Sequence, residues 1–146
     1  MKPHISETAL HKSVADFFAV ALGGNAVALH VRNERVGVGE RIEAARMGLL
    51  PGFPDFLVLD CRCAFGIELK PPGWKRVKER TGKYTPHELR QREVHERLGR
   101  AGVPVAICES VEEVEATLRR WGVALRGATA PRVARPALAD MLDAAG

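Results

Sequence analysis

Three cysteines in 146 residues are an odd number with no framework spacing. That excludes a small disulfide-stapled scaffold and makes a reducing cytoplasm the expected setting. Cys61-Arg62-Cys63 supplies half of a zinc site, but Cys108 is the only other thiol and no histidine pair completes the spacing. No serine lies in a nucleophile elbow, so a Ser/His/Asp hydrolase has no support. The longest apolar run, residues 17–22, is far too short to span a bilayer, and the N-terminus lacks the form of a signal peptide. No internal repeat or linker argues for a second domain, and 46% hydrophobic residues are enough to fill one core. A net charge of +4 favours a polyanionic partner without proving one.

The chain is organised around residues 51–70, PGFPDFLVLDCRCAFGIELK, which read as a β-hairpin. Phe56-Leu57-Val58-Leu59 is an apolar run too short for a helix and suits a strand buried on both faces. Residues 64–70 alternate instead, with Phe65, Ile67 and Leu69 on one side and Gly66, Glu68 and Lys70 on the other. A loop of two or four residues around Cys61-Arg62 sets Leu59 against Ala64, and counting back sets Asp55 against Glu68. Directly opposed residues have Cβ atoms about 4.5–5.5 Å apart. Two carboxylates so placed repel by about 3 kcal/mol at an effective dielectric of 20. A shared proton, a nearby cation or a bound metal must offset that. Lys70 supplies one positive charge from the same strand face, and hard oxygen ligands suit Mg²⁺ or Mn²⁺.

Before the hairpin, residues 6–22 form an amphipathic helix with Leu10, Val14, Phe17, Phe18 and Ala21 on its stripe, ended by Gly23-Gly24. Glu7 faces the same way as that stripe; its plain reading is an acid in a first turn, favoured by the dipole. Residues 26–33 alternate as a strand, with Val27, Leu29 and Val31 on one face. A glycine-rich loop over 33–40 and a short helix over 41–47 follow, with Arg32, Arg35 and Arg41 the only chemistry there.

After Lys70, residues 71–84 show no periodicity. Lys75, Arg76, Lys78, Arg80 and Lys83 stand against a lone Glu79, flanked by Trp74 and Tyr84. Cations for phosphates and rings for stacking are what a nucleic-acid contact needs, and the segment leaves directly from Lys70. A solvated loop is the alternative. Thr85-Pro86-His87-Glu88 starts a helix with a capping box. On it Gln91, Val94, His95 and Leu98 share a face, so Gln91 needs a polar partner and His95 reads as a core histidine or a substrate contact. A strand over 103–108 and a helix from Ser110 to Trp121, with a second capping box at Ser110/Glu113, complete the domain at about residue 126. The tail, 127–146, holds Pro131 and Pro136 and a short helix over 138–142. It packs back or meets a second subunit.

Pro54-Asp55 followed by Glu68-Leu69-Lys70 resembles the signature of the PD-(D/E)XK nucleases. With Pro51-Gly52-Phe53-Pro54-Asp55, Ile67-Glu68-Leu69-Lys70, and then Gln91, Leu98 and Gly102, the pattern is similar to the VRR-NUC branch, the virus-type replication-repair nucleases, over residues 7–126. Members usually carry the proline about two residues before the glutamine, whereas Pro86 precedes Gln91 by five, close to one further helical turn.

The resemblance implies an α/β fold of the restriction-endonuclease-like kind. A central mixed sheet over 26–33, 56–59, 64–70 and 103–108 would be flanked by the helices 6–22 and 86–100. It implies metal held by Asp55, Glu68, Glu7 and the Leu69 carbonyl, Lys70 acting on the attacking water, and Gln91 in support. Small stand-alone members look like junction- or flap-directed nucleases of phage and prophage, often dimeric. The expectation is therefore a Mg²⁺- or Mn²⁺-dependent DNA endonuclease acting as a homodimer. The rivals are a DNA-binding module with the same fold that cuts nothing, and an enzyme of other chemistry using the same carboxylates.

Overall fold

The structure is a computed structural model and describes residues 5–31, 37–48 and 50–126. The order is α1 (Glu7–Ala21), β1 (Val27–His30), α2 (Val38–Arg46), β2 (Phe56–Asp60), β3 (Cys63–Leu69), α3 (Trp74–Thr81), α4 (Pro86–Arg100), β4 (Val105–Cys108) and α5 (Val111–Arg120). The strands form one sheet in the order β1-β2-β3-β4, antiparallel except for the parallel β3–β4 pair. This is the mixed four-stranded α/β arrangement expected from the sequence.

Ser6 starts α1 by accepting from Ala9 N–H at 3.2 Å, and Leu10, Val14 and Phe18 bury its stripe. They pack with Phe56, Val58, Phe65, Ile67 and Leu69 of the hairpin and with Val114 and Leu118 of α5. Period-2 alternation sends Gly66 and Glu68 to the opposite face, where α4 lies.

Four details differ from the sequence reading. The stretch taken as a loop after Lys70 contains the helix α3. Its start is satisfied from afar: the Glu109 carboxylate accepts from Gly73 N–H at 3.0 Å and from Lys75 N–H at 2.5 Å. Helix α2 begins inside the expected glycine-rich loop, because the Glu40 carboxylate accepts from Gly37 N–H at 3.1 Å. The second capping box is only half made. Ser110 Oγ accepts from Glu113 N–H, but the Glu113 carboxylate accepts from Glu109 N–H and Lys75 Nζ instead. Finally, β2 is not buried on both faces: Phe56 and Val58 are buried, but Leu59 is 39% exposed on the face it shares with Val27 (55%) and Leu29 (41%) of β1, which no element covers among the described residues. Arg32, Arg35, the Arg41 side chain and the tail over 127–146 lie outside the described residues.

Candidate active site

The hairpin turn is the two-residue loop Cys61-Arg62, with φ of 46° and 66°. Left-handed backbone at both central residues matches the right-handed twist of the strands it joins. The ladder runs from Asp60↔Cys63 to Phe56↔Ile67, the register whose extension by one residue beyond β2 would oppose Asp55 to Glu68. Asp55 lies just outside β2, and its Oδ2 accepts from Leu69 N–H at 2.7 Å. Its carbonyl accepts from Val31 N–H at 2.8 Å and from His30 Nδ1–H at 3.1 Å.

The PGFPD run is held by contact as well as by hydrogen bonds. Gly52 has φ +89° and sits so close to α4 that a Cβ there would stand 3.1 Å from the Arg90 carbonyl oxygen. Pro54 occupies the space over Gly66, where a Cβ would meet Pro54 Cγ at 2.8 Å and Val105 Cγ2 at 2.9 Å. The proline before Asp55 is thereby wedged against β3.

Glu68 is 2% exposed. Its Oε1 accepts from Gln91 Nε2 at 2.6 Å and from Lys70 Nζ at 2.8 Å, while Gln91 Oε1 accepts from Lys70 Nζ at 2.8 Å. The three side chains close a triangle, and Gln91 has found the polar partner its apolar helix face demanded. Glu68 Oε2 is buried with no hydrogen-bond partner among the described residues, and so is His95 Nε2, 3.9 Å away. Burial first, then the Asp55 charge, raises the Glu68 carboxyl to about 7 against the pull of Lys70 and Gln91. Burial and then the Lys70 charge push His95 down to about 4, leaving it neutral at pH 7.

Glu7 is exposed in the first turn of α1. The α1 residue that reaches Asp55 is His11, one turn on, with Nε2 3.5 Å from Asp55 Oδ2 and its ring against His30 and Phe56. The hydrogen bond to Asp55 is the largest cause of its raised pKa, opposed by burial and helped by the charges of Asp55, Glu7 and Glu68. His11 was absent from the sequence reading. Its i+4 spacing from Glu7 was the available signal. Among the described residues no three His, Cys, Asp or Glu side chains are gathered closely enough to enclose an ion.

The basic segment divides. Lys75 Nζ pairs with Glu113 at 2.6 Å, and Lys78 Nζ pairs with Glu88 at 2.7 Å while capping the Lys83 carbonyl at 3.0 Å. Glu88 also accepts from Trp74 Nε1–H at 2.9 Å and Thr85 N–H at 2.8 Å. Burial alone would raise its pKa, but these donors, Lys78 foremost, hold it down at about 2. Arg76, Arg80 and Lys83 are exposed. Trp74 lies beneath both Lys70 and Lys78, whose ammonium groups are 5.6 and 5.5 Å from its ring centre, and Arg92 stands 4.5 Å over Tyr84.

The fold class these elements define is the restriction-endonuclease-like α/β core. Among solved structures the chain is similar to one described as a VRR_NUC domain protein, with a TM-score of 0.58 and 20% identity, covering 83% of this chain and 90% of that one. The VRR-NUC resemblance carried by the hairpin motif is thus matched by a likeness of fold. No protein-family model matches the sequence, and no curated protein matches it.

Proposed function

We propose that this chain is a divalent-metal-dependent nuclease that hydrolyses phosphodiester bonds in DNA. The observation that carries the reading is Glu68: an almost fully buried carboxylate beside Asp55 with one oxygen saturated and the other unpartnered. A buried unpaired oxygen is costly to keep, and a hard cation at that spot would satisfy it. The donor set therefore fits Mg²⁺ or Mn²⁺, held by Asp55 and Glu68 with the Leu69 carbonyl and Glu7 as the further candidates. A bound ion of this kind acidifies a water and neutralises charge on the phosphate.

The chain's own groups do the positioning. Lys70 commits two of the three N–H donors of its ammonium to Glu68 and Gln91, leaving the third for the attacking water or a phosphate oxygen. Gln91 orients both partners through its two amide atoms. Arg76, Arg80 and Lys83, exposed on the segment that follows Lys70, would contact phosphates, while Lys75 and Lys78 first fasten α3 through Glu113 and Glu88. A binding module has no use for opposed carboxylates at such cost, which disfavours the silent-module reading. Junction or flap DNA as substrate, a homodimer with two such sites, and a role in phage or prophage replication and repair extend the same proposal. So does the division into a nuclease domain, 1–126, and a tail, 127–146.

The test is incubation with labelled linear, flap and four-way-junction DNA in Mg²⁺, in Mn²⁺ and in EDTA. Cleavage is expected only with metal, and Asp55→Asn or Glu68→Gln is expected to abolish it in protein that still folds. Full cleavage in EDTA or by either variant overturns the assignment.

A further inference from the structure

Two acceptors hold the Lys70 ammonium: Glu68 Oε1 and Gln91 Oε1, each 2.8 Å from Nζ. Two points fix a line but not the turn about it, and that turn decides where the third N–H is aimed. A contact off the line is needed to set it. The Trp74 ring supplies one, with its centre 5.6 Å from Lys70 Nζ. That is inside the about 6 Å over which a ring face attracts an ammonium, and far enough that the ring draws the charge without taking one of its N–H groups. The Lys70 side chain is only 12% exposed, so water screens this attraction little.

The ring is held in its turn. Trp74 Nε1–H donates to Glu88 Oε1 at 2.9 Å, while Glu88 Oε2 accepts from Lys78 Nζ at 2.7 Å and from Thr85 N–H at 2.8 Å. Lys78 Nζ stands 5.5 Å from the same ring centre, and Tyr84 meets the ring edge-on at 6.3 Å. Glu88 and Gln91 are three residues apart on α4 and therefore neighbours on its surface. Gln91 grips Lys70 directly, and Glu88 reaches it through the indole. Trp74 is also the first residue of α3, so this helix brings to Lys70 a group that the strand itself does not carry.

We propose that Trp74 is a positioning residue for Lys70: its ring, anchored by Glu88, sets the turn of the ammonium and so aims the third N–H at the attacking water or a phosphate oxygen. The proposal rests on the nuclease reading above and adds to it the group that orients the lysine. A ring that instead stacks on a base of the substrate is the competing role.

The first measurement needs neither metal nor DNA. In full-length protein carrying ¹³C at lysine Cε, the Lys70 signal is identified by its loss in Lys70→Arg, and its relaxation gives an order parameter for the end of the side chain. That order parameter should fall in Trp74→Leu and recover in Trp74→Phe, which restores a ring face. The second measurement is single-turnover cleavage at saturating DNA in Mn²⁺, with DNA affinity measured in Ca²⁺. Trp74→Leu should slow cleavage about tenfold or more, as a misplaced reacting group does, and Trp74→Phe should regain most of the rate. Affinity should stay within about twofold in both, since a stacked base would cost more than that. If Trp74→Leu does not fold, tetrafluorotryptophan at position 74 replaces it with the same expectations, because it keeps the shape and the N–H and cancels the charge on the ring face. An unchanged Lys70 order parameter overturns the proposal, and so does lost affinity with an unchanged rate, which makes Trp74 a stacking ring. No cleavage by wild type in Mg²⁺ or Mn²⁺ sinks the nuclease reading, and the order parameter still decides whether the ring holds Lys70.

Discussion

At the scale of single residues, Glu68 carries a pH dependence whose sign follows from its surroundings. Its carboxyl titrates at about 7 in the fold against an ordinary value of 4.5. The folded chain therefore holds this proton more tightly than the unfolded chain between those limits. Stability from this group is fully present below about 4.5 and is lost as pH rises through about 7. At about 1.4 kcal/mol per unit, the loss is on the order of a few kcal/mol. His95 acts oppositely, since its depressed value makes folding less favourable as pH falls through about 4. Urea denaturation in EDTA, compared between wild type and Glu68→Gln, separates the two. Wild type should lose stability relative to the variant from pH 4.5 to 7, and excess Mn²⁺ should erase that loss by replacing the proton. A constant difference across the window would show that Glu68 titrates normally.

At the scale of elements, α3 shows what sequence periodicity misses. Its eight residues have no buried stripe, and its first N–H groups are capped by Glu109, 34 and 36 positions away from the residues it serves. The local signal is confined to its end, where Gly82 at φ 61° stops the helix and its N–H reaches the Lys78 carbonyl. The hairpin was legible for the opposite reason: its register depends only on a two-residue turn and a count along adjacent strands. For α3 the division of cations makes an expectation that separates fastening from binding. Replacing Arg76, Arg80 and Lys83 together by Gln should flatten the slope of log affinity against log salt by up to about 2.7, at about 0.9 per phosphate on duplex DNA. Replacing Lys75 and Lys78 should lower the melting temperature and shift the slope less, because their charges already face Glu113 and Glu88. Equal slopes for wild type and the triple variant would remove α3 from the DNA path.

At the scale of the whole molecule, Val27, Leu29, Leu57 and Leu59 share one face of the β1–β2 pair, on the same side as Glu68. Val27, Leu29 and Leu59 are 55%, 41% and 39% exposed, and β1 is an edge strand without a guarding charge. The alternation of apolar residues in β1 was visible in the sequence, but alternation does not say which face another element covers. If two copies join as proposed, this face is where they meet. Sedimentation should then show a dimer that Leu29→Lys converts to monomer, and an unchanged sedimentation coefficient would place any contact elsewhere. Most of the sheet and the grouping of Asp55, Glu68 and Lys70 were readable from strand register, whereas for Gln91 the spacing showed only a polar group on an apolar face and the family resemblance supplied its place. His11 and Glu109 were not readable, and of Glu88 only the cap with Thr85 was, because the contacts of these groups with Asp55, α3 and Trp74 join segments distant in the chain.

The space above Gly66 is shared by three distant segments, with Pro54 and Val105 standing where a side chain would be. Their volumes must sum to a constant, since a close-packed interior leaves no slack for a methyl group. Position 66 therefore does not vary alone. Chains of this architecture that carry even an alanine there should carry something smaller at the equivalent of 54 or 105. A change at 54 also moves the backbone that presents Asp55. A size restriction on a residue with no side chain thus becomes a restriction on where a carboxylate stands, and it should be legible as correlated substitution among related sequences.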